Sequence, residues 1–146
     1  MEQWTFLCDL SRLFEYLHTY AGIDILPIVR PRKSTAPRGM KPLEFLGSSR
    51  DDLCAMPDAV RHSIGLELMR VQFGAEPTSF KPMPAVGTGA YEIRVRDESG
   101  AYRAIYVAKF EAAVYVLHAF HKKTQQTAKM DIELAKARYR LIRGAS

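Results

Sequence analysis

The chain is short of the features that most readily betray a function. Its two cysteines, Cys8 and Cys54, fit no metal-ligand or redox spacing and are expected as reduced thiols in a cytoplasmic protein. The four histidines His18, His62, His118 and His121 make no zinc spacing with them, so neither a metal nor any other cofactor is expected. No apolar run approaches the roughly 18 residues of a membrane-crossing helix, and no membrane partner is expected. The N-terminus lacks a basic stretch leading into an apolar core, so no signal peptide is read. P-loop, Gly-x-Gly-x-x-Gly, His-Glu-x-x-His and Gly-x-Ser-x-Gly patterns are missing. Their absence speaks against Walker-type nucleotide hydrolases, dinucleotide enzymes, zinc proteases and α/β-hydrolases. Gly87-Thr88-Gly89 has no phosphate-loop context and reads as the entry turn to a strand.

What the chain does have is a core's worth of apolar residues, 47% of 146, which suits one folded domain. It also has a localised charge. The net charge is +5, and residues 121–146 alone hold seven basic side chains against two acidic ones. Basic charge gathered in one segment suits a polyanion or an acidic protein, although a solvated helix face would look the same.

Two unlike parts follow one another. In residues 1–40, Leu10, Leu13, Phe14 and Leu17 suggest a short amphipathic helix, and residues 31–39 are a Pro-, Arg- and Gly-rich linker. Met40-Lys41 immediately before a clean strand also suits a true start of translation. Residues 1–40 are therefore expected to be an N-terminal extension or the result of a start assigned too early. Residues 41–146 are expected to be the functional domain.

In that domain, residues 42–46 read as a strand closed by Gly47. Ser48 and Ser49 are N-cap candidates, with Asp51 and Asp52 in the helix's positive first turn. Leu53, Met56, Val60, Ile64, Leu68 and Val71 form a core-facing helical stripe, which Pro57 should break in two and Gly74 should end. Residues 89–97, 101–109 and 112–120 read as three antiparallel strands. Thr127 is a candidate cap for a final helix to about Arg143, with Met130, Leu134, Ala137 and Leu141 expected to face inward. The expected class is α+β, with helices on one face of a mostly antiparallel sheet.

The chemistry should sit on the other face. With Tyr91, Ile93 and Val95 buried, a period of two turns Glu92, Arg94 and Arg96 the opposite way. Arg103 on the next strand could join them, and Lys122 and Lys123 could close the rim. Proton-transfer candidates are Glu92, His118 and His121. Each has a plainer reading. Arg94 and Arg96 could be ordinary solvent-facing charges, Arg103 one half of an ion pair with Glu92, His118 a core histidine, and Tyr91, Tyr102 and Tyr106 core aromatics.

Residues 89–107, with Tyr91-Glu92-Ile93-Arg94 and Tyr102-Arg103-Ala104-Ile105-Tyr106, resemble the central hairpin of the RelE/ParE toxin superfamily. Phe120-His121-Lys122-Lys123-Thr124, before a helix holding Ile132-Glu133-Leu134-Ala135, is similar to the strand exit of its HigB-like, phage-derived branch. The segment from Asp52-Leu53 to Val60 and Lys81-Pro82-Met83 match as well, and the resemblance covers about residues 41–142. It implies N-terminal helices packed on a curved, mostly antiparallel sheet of about four strands, plus a C-terminal helix. It further implies a cytoplasmic type II toxin that cuts mRNA, commonly on the ribosome, and that pairs with a helix-turn-helix antitoxin. The chain departs from the pattern at Glu92, where some relatives carry lysine, and at Ala128, where proline is frequent.

Carried onto this chain, the resemblance implies catalytic roles for Arg94, Arg103, Lys122 and Lys123, and Glu92, where the chain departs from the pattern, is added to them as the alternative base. RNA-binding roles are expected of Arg96, Tyr91, His121, Phe120 and Lys129. Metal-free cleavage would proceed by attack of the RNA's own 2′-hydroxyl on the neighbouring phosphate. Arg94 and Arg103 would grip that phosphate, and Lys122 or Lys123, Glu92 or a histidine would move protons. A ParE-like gyrase inhibitor acting by protein contact is one alternative. A non-catalytic module binding nucleic acid is the other.

Overall fold

The computed structural model describes residues 39–144. The expected helix around Leu10, Leu13, Phe14 and Leu17, and the linker from Pro31, fall outside the described residues. In chain order the elements are β1 (Leu43–Phe45), α1 (Ser49–Cys54), α2 (Asp58–Gln72), β2 (Phe80–Pro82), β3 (Ala90–Asp97), β4 (Gly100–Val107), β5 (Val114–Lys122) and α3 (Lys129–Arg143). They form an open five-stranded sheet in the order β1-β5-β4-β3-β2. β1 runs parallel to β5, and every other pairing is antiparallel. Among the described residues, no helix is long and apolar enough to cross a membrane.

Local chemistry explains most of the boundaries. Pro57 stands at the N-cap of α2, where its missing N–H removes no helical hydrogen bond, and it divides α1 from α2 as expected. Past Gln72 the chain turns through Gly74 at φ +83°, and the Ala75 N–H reaches back to the Arg70 carbonyl. That left-handed step closes a helix end, and glycine takes it without steric cost. Asp51 and Asp52 occupy the first turn of α1, but Ser48 caps nothing; its hydroxyl donates to Asp52 instead. Buried Ser49 donates to the Val116 carbonyl and so pins α1 to β5. Lys41 donates through Nζ to the carbonyls of Ala108 and Phe110, fastening the start of β1 to the loop after β4.

The sheet has two covered faces. On one, Leu53, Met56, Val60, Ile64, Leu68 and Val71 of α1, α2 and their junction pack on Ile93, Ala104, Tyr106, Val114 and Val116. On the other, Ala135, Tyr139 and Ile142 of α3 pack on Ile105, Val107, Leu117 and Phe120. β5 carries a bulge. Ile105 pairs with His118 while Tyr106 pairs with Val116, so Leu117 is the extra residue. The Leu117 carbonyl takes a hydrogen bond from Arg138 Nη1 at 2.8 Å, tying α3 to the irregularity. The Tyr139 hydroxyl donates to the Thr88 carbonyl. Its ring lies so close to Gly87 that a Cβ there would come within 2.5 Å.

Four expectations need correction. The sheet has five strands, not about four, because the three-residue β2 had too short a pattern to be seen. Helices cover both faces rather than one. Thr127 does not cap α3; Ala128 holds the N-cap position and offers no side-chain hydrogen bond. The inward face of α3 is Ile132, Ala135, Tyr139 and Ile142, whereas Met130, Leu134 and Leu141 are exposed.

Ile64 is fully buried in the α2 layer. Ile64→Ala is expected to lower unfolding stability by about 2–5 kcal/mol, read as a reduced urea midpoint with little change in slope.

Candidate functional site

The register of four strands builds a grid on the α3 side of the sheet. In one row Lys81, Glu92, Ile105 and His118 stand side by side across β2, β3, β4 and β5. The next row holds Arg94, Arg103 and Phe120. The third holds Arg96, Ala101 and Lys122. Side chains paired directly across neighbouring strands have Cβ atoms roughly 4.5–5.5 Å apart. Arg94, Arg96, Arg103 and Lys122 therefore share one face, with Lys81 beside them as a further cation that the sequence pattern did not single out.

Burial gives these cations different parts. Arg103 and Glu92 form the floor, with side chains only 5% and 2% exposed. Arg103 Nε lies 3.2 Å from Glu92 Oε1, but its N–H is not aimed for a hydrogen bond, so the contact is an ion pair. Arg103 Nη1 donates to the Tyr102 carbonyl at 2.8 Å. Burial pulls the Arg103 guanidinium below its ordinary pKa; the Glu92 charge pulls it back up, and the charges of Arg94 and Arg96 push it down again. Arg94, Arg96 and Lys81 are exposed and Lys122 is half-buried.

Glu92 differs from its expected placement. The polar side of a strand suggested a carboxylate in the open. Instead it is buried, with Oε1 beside Arg103 and Oε2 accepting a hydrogen bond from the Thr127 hydroxyl at 3.0 Å. Thr127 thus fastens the loop before α3 to the floor, and the sequence marked it only as a helix cap. A second tie lies in the same row, on β5. His118 Nε2 stands 2.8 Å from Asp131 Oδ1 in the first turn of α3, and the imidazole stacks on Phe120. Phe120 is buried on the same face as Arg103, most of its surface already covered.

Other residues expected at the site stand elsewhere. Tyr91 lies on the opposite face, stacked on Tyr106 with ring centroids 5.9 Å apart. His121 is also on that side, stacked on Tyr102 at 4.5 Å. Lys123 follows the end of β5 and Lys129 begins α3; both are exposed, and neither makes a hydrogen bond or ion pair among the described residues. No group of three or more His, Cys, Asp and Glu side chains placed to hold a metal occurs among the described residues. What the grid can do is hold an anion: guanidiniums bind phosphate oxygens through paired, charge-assisted hydrogen bonds.

A family model described as Phage derived protein Gp49-like (DUF891) matches residues 51–140. That span includes β2 through β5 and most of α3, hence all of the residues in the grid. No curated protein matched the chain.

The buried pair sets the terms of any mutational test. Glu92→Ala strands a desolvated guanidinium, and Arg103→Ala strands a desolvated carboxylate, so each is expected to cost about 3–5 kcal/mol. Removing both with Glu92→Ala and Arg103→Ala together is expected to cost less than the two single changes added together. Urea unfolding of the four proteins closes the cycle, and strict additivity would mean that the pair is not coupled.

Proposed function

The chain belongs to the Gp49-like phage-derived protein family, a family of RelE/HigB-like toxins, and from that premise we propose that it is the toxin of a toxin–antitoxin pair and an mRNA endoribonuclease. The observation that carries this reading is the cross-strand register. It sets Arg94 opposite Arg103, and Arg96 in line with Lys122, on one face of the sheet.

The step is the transfer of a phosphorus–oxygen bond within the RNA. The 2′-oxygen attacks the adjacent phosphorus as its proton leaves. The bond to the 5′-oxygen breaks, and that oxygen gains a proton. The products are a 2′,3′-cyclic phosphate and a 5′-hydroxyl, and no redox partner is needed. Negative charge grows on the phosphate oxygens in the transition state, and fixed cations stabilise it there more than in the ground state.

Arg94 and Arg96, exposed beside the floor, take the phosphate oxygens. Arg103 contributes its charge from below, and no hydrogen bond among the described residues uses its Nη2. Glu92 acts as a positioning residue rather than a base, because both of its oxygens are occupied. Lys122, half-buried on the same face and without a hydrogen bond or ion pair among the described residues, is the remaining proton carrier. The ribosome as the setting of cleavage and a helix-turn-helix antitoxin as the partner belong to the same proposal.

Arg94 and Lys122 test it better than Arg103, since neither is locked in the buried pair. Arg94→Ala and Lys122→Ala are each expected to slow RNA cleavage by about 10²–10³-fold while leaving thermal unfolding unchanged. Sequencing of transcript ends after induction should show cuts within coding regions that vanish in both variants. Growth arrest without such cuts would point to a protein target such as gyrase and would sink the nuclease reading.

A further inference from the structure

The outer side of α3 carries a second apolar stripe that belongs to neither core cluster. Met130, Leu134, Ala137 and Leu141 recur at steps of four, three and four, and Met130 is 83%, Leu134 39% and Leu141 68% exposed. The inner side of the same helix is already filled by Ala135, Tyr139 and Ile142. A surface helix in a monomer needs one apolar side; this one has two. Its outer side has the seam spacing by which helices pair with one another.

The stripe is self-complementary when reversed. If a second copy of α3 is laid antiparallel so that Met130 faces its Leu141, Leu134 falls opposite its Ala137. The same alignment brings Glu133 beside Arg140 of the other copy along the flank, and the two-fold axis repeats the contact. Both residues are exposed, and neither has a hydrogen bond or ion pair among the described residues. A parallel pairing would bring Glu133 towards Arg138 instead. Arg138 is already committed, through Nη1 to the Leu117 carbonyl and through Nη2 to the Ser48 hydroxyl. Apolar spacing and charge therefore agree on one arrangement.

We propose that α3 is a self-association surface on which two copies of this chain pair antiparallel through Met130, Leu134, Ala137 and Leu141, with two crossed Glu133–Arg140 ion pairs. This does not depend on the nuclease reading. A seam of one 15-residue helix per partner is small, so the association is concentration-dependent and in the micromolar range.

Sedimentation velocity of the full chain over about 1 to 500 μM reads it. The wild type is expected to shift from monomer to dimer. Leu134→Asp and Leu141→Asp, both at exposed positions, should weaken the dimer at least tenfold with unchanged circular dichroism and melting. Glu133→Arg and Arg140→Glu should each lose self-association, because each sets like charges against each other across the axis. An equimolar mixture of those two variants should recover a one-to-one dimer, since every crossed pair is then opposite in sign. The proposal is overturned by a wild type that stays monomeric throughout, or by a dimer indifferent to Leu134→Asp. It is equally overturned if mixing the two charge variants restores nothing. A monomeric chain that binds a separate acidic helical protein through Leu134 and Leu141 would assign the stripe to that partner instead.

Discussion

A guanidinium and a carboxylate taken out of water together must be held near each other, because either alone inside the protein is far costlier than the pair. Arg103 and Glu92 meet that requirement only because β3 and β4 keep their register over eight residue pairs. A slip of one position would turn every side chain of β3 to the other side. Ile93 would leave the α2 layer, and Glu92 would enter it without a cation. The ion pair therefore works against misregistration. It also anchors what lies outside it, since Glu92 holds Thr127 and so fixes where the chain enters α3.

The same pair shapes what the surface can offer a ligand. A buried arginine flanked by two exposed ones gives a field with a fixed centre and adaptable edges. Arg94 and Arg96 are exposed and keep the length and freedom to follow an anion, while Arg103 is held in the buried pair with Glu92. Binding sites with a rigid floor and mobile rim lose less order on binding than sites built of flexible side chains throughout.

Much of this arrangement is legible in the sequence, for definite reasons. The stripe from Leu53 to Val71 has one period and one apolar side, so only one orientation buries it. The alternation of β3 is equally clean, and with it the common direction of Glu92, Arg94 and Arg96. Elsewhere the pattern underdetermines the fold. α3 has apolar residues on two sides. The favoured one, Met130 to Leu141, is outside, because Ala135 permits close approach and Tyr139 finds polar partners for its hydroxyl beside Gly87. The alternation of β3 already turned Tyr91 away from Arg94, whereas His121 could be placed only once strand pairing and the bulge in β5 were known. The burial of Glu92 was hidden because a charge on the polar side of a strand ordinarily meets solvent; Thr127 and Arg103, remote in sequence, make the difference.

The bulge at Leu117 governs the parity of β5. Before it, the even-numbered Val114 and Val116 face α2; after it, the odd-numbered Ala119 and His121 do. One supernumerary residue thus exchanges the two sides of the strand halfway along, and that exchange carries Lys122 to the arginines and His121 away from them. Its effect resembles a frameshift written in space: excising a single residue there would leave the composition of β5 almost intact while transposing which of its outer side chains meet the arginine-bearing side.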